Sequence, residues 1–258
     1  MRKKIIAGNW KMNLDYADAM TLAKSVAQNI PVNQLVQVIL APPFVYLHEI
    51  VNLVLDHHSI SVASQNCSDK NAGAYTGDVA ASMLASIGVE YVMIGHSERR
   101  IYFDEDNELL SKKVAVALDH LLLPVYCCGE SLDQRNSLQH LDIIRDQIEV
   151  GLFHLDNKKA EQCTIAYEPV WAIGTGMIAT AAQIQEMHLF IRSLIKKKYG
   201  DRLSENISIL YGGSITPQNA SNLFSCPDVD GGLVGGASLK AVDFLEIIDE
   251  LEKAEKKK

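Results

Sequence analysis

A glutamate stands directly after an apolar run in the second half of the chain. Glu168 follows Thr164–Tyr167 and precedes Pro169, in a segment that also carries Trp171. A single glutamate in such a place is most often a solvated turn residue. Here the apolar surroundings predict a carboxylate that becomes a stronger base once water is excluded. We therefore interpret Glu168 as a candidate general base for removing a proton from carbon.

A histidine follows an apolar run earlier in the chain. His96 comes after Tyr91–Ile94 and Gly95, and the next residues, Ser-Glu-Arg-Arg, are typical of the first turn of a short helix. A lone histidine is more often structural than catalytic, but Gly95 permits the close approach of another group. The helix dipole would favour a neutral imidazole, which can still donate a hydrogen bond to a substrate carbonyl. His96 is therefore a candidate electrophile.

A lysine lies just beyond the first apolar run, two residues after Asn9. Most lysines are surface residues, and a lysine at a strand end can also be a Schiff-base nucleophile or an electrostatic anchor. Because Lys11 shares its strand end with Asn9, we favour a role directed at an oxyanion or a phosphate.

Two glycine-rich loops give the clearest local signal. Gly212-Gly213-Ser214 follows the seventh apolar run, and Gly235-Gly236-Ala237-Ser238 follows the eighth and opens a helix. Such loops expose backbone N–H groups, and a helix N-terminus favours an anion. One Gly-Gly pair could be merely a tight turn, but two of them on consecutive strands predict a phosphate site.

The segment after Glu168 is typical of a mobile lid, because it carries an apolar face and ends in glycines. The alternative is a surface loop with a buried tryptophan. A lid would exclude water and protect a reactive intermediate. The residues assigned to it are Pro169, Val170, Trp171, Ala172, Ile173, Gly174, Thr175 and Gly176.

These residues need elements that bring them together. Short apolar runs alternate with longer amphipathic segments, which predicts βαβ units and a parallel sheet buried on both faces. Eight runs favour a closed (β/α)8 barrel, an α/β fold, with a doubly wound open sheet as the alternative. In a barrel the carboxyl ends of the strands share one rim, where the polar residues would meet. The runs are 4–8, 36–41, 60–64, 91–94, 122–127, 164–167, 207–211 and 232–234.

The amphipathic segments predict helices between the strands. Gly200 is typical of the residue that follows a helix C-terminus, and Thr216-Pro217 is typical of a helix N-terminus. No linker or shift in composition marks a boundary, so we expect one domain over residues 1–258 with a basic tail at 253–258. The helical segments are 15–29, 104–120, 132–152, 181–199 and 241–253.

Composition excludes several classes of protein. The 258 residues include 24 Lys and Arg against 32 Asp and Glu, and the net charge of −8 argues against a protein that mainly binds nucleic acid. No apolar run approaches the roughly 20 residues that span a bilayer, and the start of the chain lacks the apolar stretch of a signal peptide. Five cysteines without framework spacing predict free thiols in a reducing cytoplasm. No set of residues shows ligand spacing, so we expect no metal.

Taken together, the motifs resemble those of the triosephosphate isomerase family over nearly the whole chain. Their order along the sequence makes the match highly specific. Where the family commonly has Lys, Phe and Glu, this chain has Met177, Tyr75 and Asp78. The matching segments are 7–13 (AGNWKMN), 95–100 (GHSERR), 166–176 (AYEPVWAIGTG), 211–214 (YGGS) and 231–238 (GGLVGGAS).

The resemblance implies interconversion of dihydroxyacetone phosphate and D-glyceraldehyde 3-phosphate through an enediolate, without a cofactor. It implies that Glu168 moves the proton between the two carbons and that His96 is a neutral electrophile on the substrate oxygens. Asn9 and Lys11 would stabilise the oxyanion, and Glu98 would support this network. The backbone N–H groups implied to hold the phosphate are those of Gly174, Ser214, Gly235 and Gly236.

The resemblance also implies a homodimer. A long loop after the third strand, from Gln65 through Tyr75 and Thr76 to Asp78, would insert beside the partner's active site. Thr76 would there support the partner's catalytic lysine and asparagine. We expect triose phosphates as small-molecule ligands and no nucleic-acid or membrane partner.

Two alternatives stay open. Another phosphate-binding barrel enzyme, such as a class I aldolase, would need a Schiff-base lysine, usually on the sixth strand, and residues 163–168 contain none. A non-enzymatic binder that uses the basic tail is the second alternative. The intact set of Asn9, Lys11, His96 and Glu168 argues against it.

Overall fold

A computed structural model describes residues 2–31 and 34–256 of the chain. Within this part, eight parallel strands close into a barrel in sequence order, with the last strand paired to the first. The predicted (β/α)8 barrel is confirmed, and the open sheet is excluded. The strands are β1 (Lys4–Asn9), β2 (Val36–Ala41), β3 (Ile60–Ser64), β4 (Tyr91–Ile94), β5 (Leu123–Cys128), β6 (Thr164–Tyr167), β7 (Ile209–Tyr211) and β8 (Gly231–Val234).

Helices connect successive strands and surround the barrel. Short 3-10 turns cover Phe44–Tyr46, Val170–Ala172 and Gly236–Leu239. In the described residues the α-helices are α1 (Tyr16–Asn29), α2 (Leu47–Val54), α3 (Ala81–Ser86), α4 (Ser97–Tyr102), α5 (Asn107–Asp119), α6 (Leu132–Asn136), α7 (His140–Leu152), α8 (Asn157–Ala160), α9 (Ala181–Tyr199), α10 (Asp201–Ser204), α11 (Pro217–Phe224) and α12 (Ala241–Lys256). Across residues 2–31 and 34–256, no helix is long and apolar enough to cross a membrane.

The strands are buried on both faces, as their continuous apolar runs predict. On β4, Tyr91 and Met93 belong to the apolar cluster inside the barrel, whereas Val92 and Ile94 belong to the cluster between barrel and helices. This division follows from the two-residue period of a strand. The same period decides which residues beyond each strand end continue to face the barrel axis.

Three predicted strand starts are wrong by one or two residues, and one of them is β8, which starts at Gly231, one residue before the predicted run. The run 122–127 becomes β5 one residue later, because the N–H of Leu122 closes the end of α5 by donating to Ala117 O at 3.0 Å. The N–H of Ile207 likewise donates to Leu203 O at 2.9 Å, so β7 starts two residues after the predicted position. At β5 and β7 the preceding helix thus binds the backbone before the strand begins.

The prediction of one helix over 132–152 is also wrong. α6 ends at Asn136 and α7 begins at His140, because Leu138 adopts φ +59° between them. A left-handed residue cannot continue a right-handed helix. The chain therefore turns at this point, and two helices replace one.

The helix predicted over 104–120 begins only at Asn107, because Asp104 has φ +51° and the Asp106 side chain caps the helix by accepting the N–H of Leu109. Three other helix boundaries agree more closely with the sequence. α9 spans the predicted 181–199, and Gly200 follows it with φ +87°. Pro217 begins α11, as expected. α12 continues through the first four residues of the predicted tail at 253–258, and residues 257–258 lie outside the described residues.

Candidate active site

The carboxyl ends of the strands surround a cavity of about 420 Å³. Residues from β1, β4, β6, β7 and β8, or from the loops directly after them, contribute to its wall. Most of the side chains and loops predicted from sequence therefore meet at one place. The predicted site residues that line this cavity are Asn9, Lys11, His96, Glu168, Ile173, Gly174, Ser214, Gly235 and Gly236.

Asn9 and Glu168 reach the cavity because they continue the inward-facing alternation of their strands. On β1 the inward residue Ala7 precedes Asn9 by two positions, and on β6 the inward Ala166 precedes Glu168 by two positions. Side chains two residues apart on a strand share a face. The strands themselves thus aim both polar side chains at the barrel axis.

Glu168 is almost completely buried, with 1% of its surface exposed. Its backbone N–H donates to Cys128 O at 2.8 Å, and its Oε2 accepts the backbone N–H of Ser97 at 2.9 Å. Sequence reasoning missed the Ser97 contact, because it joins residues 71 positions apart. Because Oε2 is held by this hydrogen bond, the other carboxylate oxygen, Oε1, is oriented toward a second partner.

Two glycines make room for this glutamate. A Cβ on Gly129 would lie 1.9 Å from the backbone oxygen of Glu168, and a Cβ on Gly212 would lie 2.9 Å from its Cγ. Real Cβ atoms do not approach other heavy atoms so closely. The glycines at the ends of β5 and β7 therefore form the two walls between which Glu168 is placed.

His96 lies beside the glutamate, and its Nε2 is 3.0 Å from Glu168 Oε1. Gly95, with φ +79°, redirects the chain after β4 so that the imidazole turns into the cavity. The Nδ1 atom of His96 accepts the backbone N–H of Glu98 at 3.2 Å. Because Nδ1 accepts, the neutral ring carries its proton on Nε2. His96 can therefore present an N–H donor to a ligand while remaining uncharged.

Lys11 is held in place from three directions. Its Nζ lies 2.6 Å from Glu98 Oε1, and its backbone N–H donates to Asn9 Oδ1 at 3.0 Å. Gln65 Nε2 donates to the Lys11 carbonyl at 2.9 Å. These contacts stabilise a left-handed backbone at Lys11, with φ +53°. The lysine ammonium and the Asn9 amide thus become fixed donors on the cavity wall.

The opposite end of the cavity is made of backbone. Ser214 follows β7, and Gly235 and Gly236 follow β8, where Gly236 begins a 3-10 turn. Both the N–H and the hydroxyl of Ser238 donate to Gly235 O, at 2.8 and 2.7 Å, which fixes the turn. Apart from its two chain neighbours, no atom of the described residues lies within 4 Å of a Cβ placed on Gly236. This end therefore offers open space for a ligand group beside main-chain donors.

The predicted lid segment has an anchored start and an exposed tip. Trp171 is buried, and its indole N–H donates to Glu130 Oε1 at 2.9 Å. The Tyr167 hydroxyl donates to the same oxygen, also at 2.9 Å. Gly174 and Gly176 have positive φ of +68° and +82°, and both are exposed. Sequence reasoning missed this role of Glu130, because its contacts join residues 37 and 41 positions apart.

The two ends of the loop from Gln65 to Asp78 have different surroundings. Gln65 donates to Lys11 O and Ala41 O, so it supports the cavity wall of its own chain. Tyr75 and Thr76 lie on an exposed stretch outside the cavity lining. The sequence assigned all three residues to one loop, and the structure separates the supporting end from the exposed tip.

The arrangement suits proton transfer next to an anionic group. A buried carboxylate and a neutral N–H donor lie 3.0 Å apart at one end of the cavity. Main-chain donors and open space lie at the other end. The cavity has room for a small ligand whose carbonyl lies beside His96 and Glu168 and whose phosphate meets the glycine loops.

The comparison with known proteins agrees with this geometry. The sequence model of the family described as Triosephosphate isomerase matches residues 4–251. The triosephosphate isomerase of Phocaeicola vulgatus is 49% identical over 250 residues, which cover 96% of this chain and 99% of the relative. The triosephosphate isomerases of Flavobacterium psychrophilum and Bacteroides fragilis are 47% and 48% identical with the same coverage. This chain belongs to the triosephosphate isomerase family.

Proposed function

We propose that this chain interconverts dihydroxyacetone phosphate and D-glyceraldehyde 3-phosphate, with Glu168 as the base and His96 as the electrophile. Membership of the family supports the reaction. The observation that carries the assignment of roles is the buried contact of 3.0 Å between His96 Nε2 and Glu168 Oε1. A base and a proton donor at this separation can serve adjacent atoms of one small substrate.

The proton moves in two stages. Glu168 takes a proton from the carbon next to the substrate carbonyl, and the electrons shift to the carbonyl oxygen to form an enediolate. The Nε2–H of His96 hydrogen-bonds to that oxygen and shuttles a proton between the two substrate oxygens. Glu168 then returns its proton to the neighbouring carbon. No electrons leave the substrate, so the reaction needs no oxidant or reductant.

The other polar groups stabilise charge. Lys11 and Asn9 face the oxygen that becomes negative, and Glu98 orients the lysine through its contact of 2.6 Å. The backbone N–H groups of Ser214, Gly235, Gly236 and Gly174 hold the phosphate in the proposal. The lid at residues 169–176 covers the substrate and keeps water from the enediolate.

The proposed assembly is a homodimer in the cytoplasm, with the exposed tip at Tyr75 and Thr76 reaching the partner's site. Exposed apolar side chains support an interface, and Met12, next to Lys11, is 96% exposed. Sedimentation velocity of the full chain tests the assembly. A species of twice 28.5 kDa at micromolar concentration is expected, and a monomer would contradict the proposal.

A coupled assay with D-glyceraldehyde 3-phosphate tests the reaction and the base together. We expect rapid turnover by the wild type and a loss of about 100-fold to 10,000-fold in Glu168→Gln, which retains the shape of the side chain without its basicity. Circular dichroism checks that the variant is folded. Turnover near the wild-type rate in folded Glu168→Gln would remove the base role. Borohydride trapping with a sugar phosphate tests the aldolase alternative, which alone predicts a covalent adduct.

A further inference from the structure

The charge of the chain opposes the binding of its proposed substrate. The net charge is −8, and a phosphate monoester is largely a dianion at pH 7. Glu168 and Asp243 add carboxylates to the cavity wall. Association with the cavity therefore requires local positive charge that outweighs this field near the mouth.

Lys11 meets this need only in part. Among the described residues, two lysines line the cavity, Lys11 and Lys240. Lys11 Nζ lies 2.6 Å from Glu98 Oε1, so a carboxylate offsets much of its field at longer range. A phosphate still outside the cavity thus experiences little attraction from this pair.

Lys240 differs from Lys11 in both exposure and pairing. It is exposed, and it directly follows the 3-10 turn that begins at Gly236. This turn belongs to the end of the cavity formed by the loops after β7 and β8, called here the phosphate end. Among residues 2–31 and 34–256, its Nζ has neither an ion-pair nor a hydrogen-bond partner. Asp243 is three residues further along, yet the two side chains do not pair. Instead Asp243 lies in the first turn of α12, where a carboxylate is favoured by the helix dipole.

The backbone around Lys240 is well defined. Its N–H donates to Ala237 O at 3.4 Å, and its carbonyl accepts the N–H of Phe244 at 3.0 Å. Phe244 is fully buried. An unpaired cation is therefore anchored on a rigid turn that also carries the glycine donors of the phosphate end.

We propose that Lys240 is a positioning residue that draws the phosphate dianion of the substrate to the mouth of the cavity and orients it toward the glycine loops. This inference rests on the proposed function. Lys240 acts on association and takes no part in the proton transfer. Its effect should therefore fall on kcat/KM and leave kcat within about twofold, and it should weaken as salt shortens the Debye length from about 30 Å at 0.01 M to about 10 Å at 0.1 M.

A charge series at position 240 tests the proposal. We expect kcat/KM for D-glyceraldehyde 3-phosphate at low ionic strength to be retained in Lys240→Arg, to fall about threefold to tenfold in Lys240→Gln and to fall further in Lys240→Glu. The differences should shrink at 0.2 M salt. The control is Lys197→Gln, which makes the same change in net charge on an exposed lysine in the last turn of α9, away from the mouth. We expect it to behave like the wild type.

Inorganic phosphate separates this inference from the reaction itself. Its dissociation constant, measured by equilibrium dialysis at low salt, should rise about threefold or more in Lys240→Gln and stay unchanged in Lys197→Gln. If the wild type lacks isomerase activity but shows this pattern, the proposed function fails and the role of Lys240 stands. Equal effects of Lys240→Gln and Lys197→Gln would overturn the inference, as would a loss that is independent of salt or that falls on kcat.

Discussion

At the residue scale, the reactivity of Glu168 depends on neighbours that carry no chemistry of their own. Gly129 and Gly212 leave the space in which the glutamate lies, and the Ser97 N–H fixes one carboxylate oxygen. The other oxygen meets His96 at 3.0 Å. The proposed base is therefore oriented by main chain on three sides and by the imidazole of His96.

A small side chain at position 212 should disturb this orientation without unfolding the protein. In Gly212→Ala the Cβ would lie 2.9 Å from Glu168 Cγ, and the carboxylate would have to move. Since a misplacement of about 1 Å costs about 100-fold in rate, we expect kcat to fall by about that factor while Tm changes little. Steady-state kinetics and thermal unfolding measure the two effects.

Gly129→Ala is the matched comparison. Its Cβ would meet the backbone oxygen of Glu168 at 1.9 Å, and main chain cannot give way as a side chain can. We expect this variant to lose stability as well as activity. Wild-type kcat in Gly212→Ala would show that the glycine is not needed to place the base.

At the element scale, the sequence predicted long, strongly periodic segments and missed breaks that local residues do not mark. α9 matches its prediction, because Thr180 caps its start and Gly200 ends it. The break between α6 and α7 falls at Leu138, and residues 132–140 contain no glycine or proline that would predict it. Leucine in a left-handed conformation is strained, and the Leu138 side chain is 80% exposed. Backbone hydrogen bonds hold the turn instead, such as that from the Gln139 N–H to Gln134 O at 2.9 Å.

Another leucine of this kind ends α5 and permits a test. Leu121 has φ +63° and is 83% exposed, so its side chain gains little from burial. Glycine adopts this conformation without strain, and we expect Leu121→Gly to raise the free energy of unfolding by about 0.5–1 kcal/mol despite its greater freedom in the unfolded chain. Urea denaturation measures the change.

Leu55 provides the opposite case. It follows α2 with φ −52° and ψ −37° and is 73% exposed. Leucine is unstrained there, so Leu55→Gly should lower the free energy of unfolding by about 0.5–1 kcal/mol. The same sign for both substitutions would contradict the argument from backbone strain.

At the scale of the whole molecule, a buried histidine links the aromatic side chains behind the site to the pH dependence of stability. His188 is fully buried, packs edge-on against Tyr167 with 5.8 Å between ring centroids, and lies near Tyr211. Its Nδ1 is 3.2 Å from Asp228 O. Burial lowers the pKa of His188 from 6.5 to about 4, despite the opposing influence of that carbonyl and of Asp230.

The sign of the resulting effect follows from proton binding. Between pH 6.5 and 4 the unfolded chain holds a proton on His188 and the folded chain does not, so acid favours unfolding. We expect His188 to account for a fall of about 3 kcal/mol in the free energy of unfolding as the pH drops from above 6.5 to about 4. Urea denaturation at several pH values measures the slope. In His188→Leu, the fall in the free energy of unfolding between pH 6.5 and 4 should be smaller by about this amount. An unchanged slope would show that other groups are responsible.

The sequence by itself determined a parallel sheet of eight strands alternating with helices, and most of the residues at the carboxyl ends of those strands. Eight continuous apolar runs require strands buried on both faces, and polar residues such as Asn9 and Glu168 stand directly after them. Both kinds of information are local, so they can be read without knowing which residues meet.

Only the tertiary structure decided the contacts that make the site work. The Ser97 N–H on Glu168 and the Glu130 contact with Trp171 each depend on distances between groups that different elements position. The same holds for the Lys240 ammonium, which has no partner among the residues that the structure describes. The proton on His96 Nε2 was settled by the Glu98 N–H, whose direction depends on how α4 leaves β4. Such contacts arise from the closure of the barrel, because closure is what brings the separate strand ends to one rim.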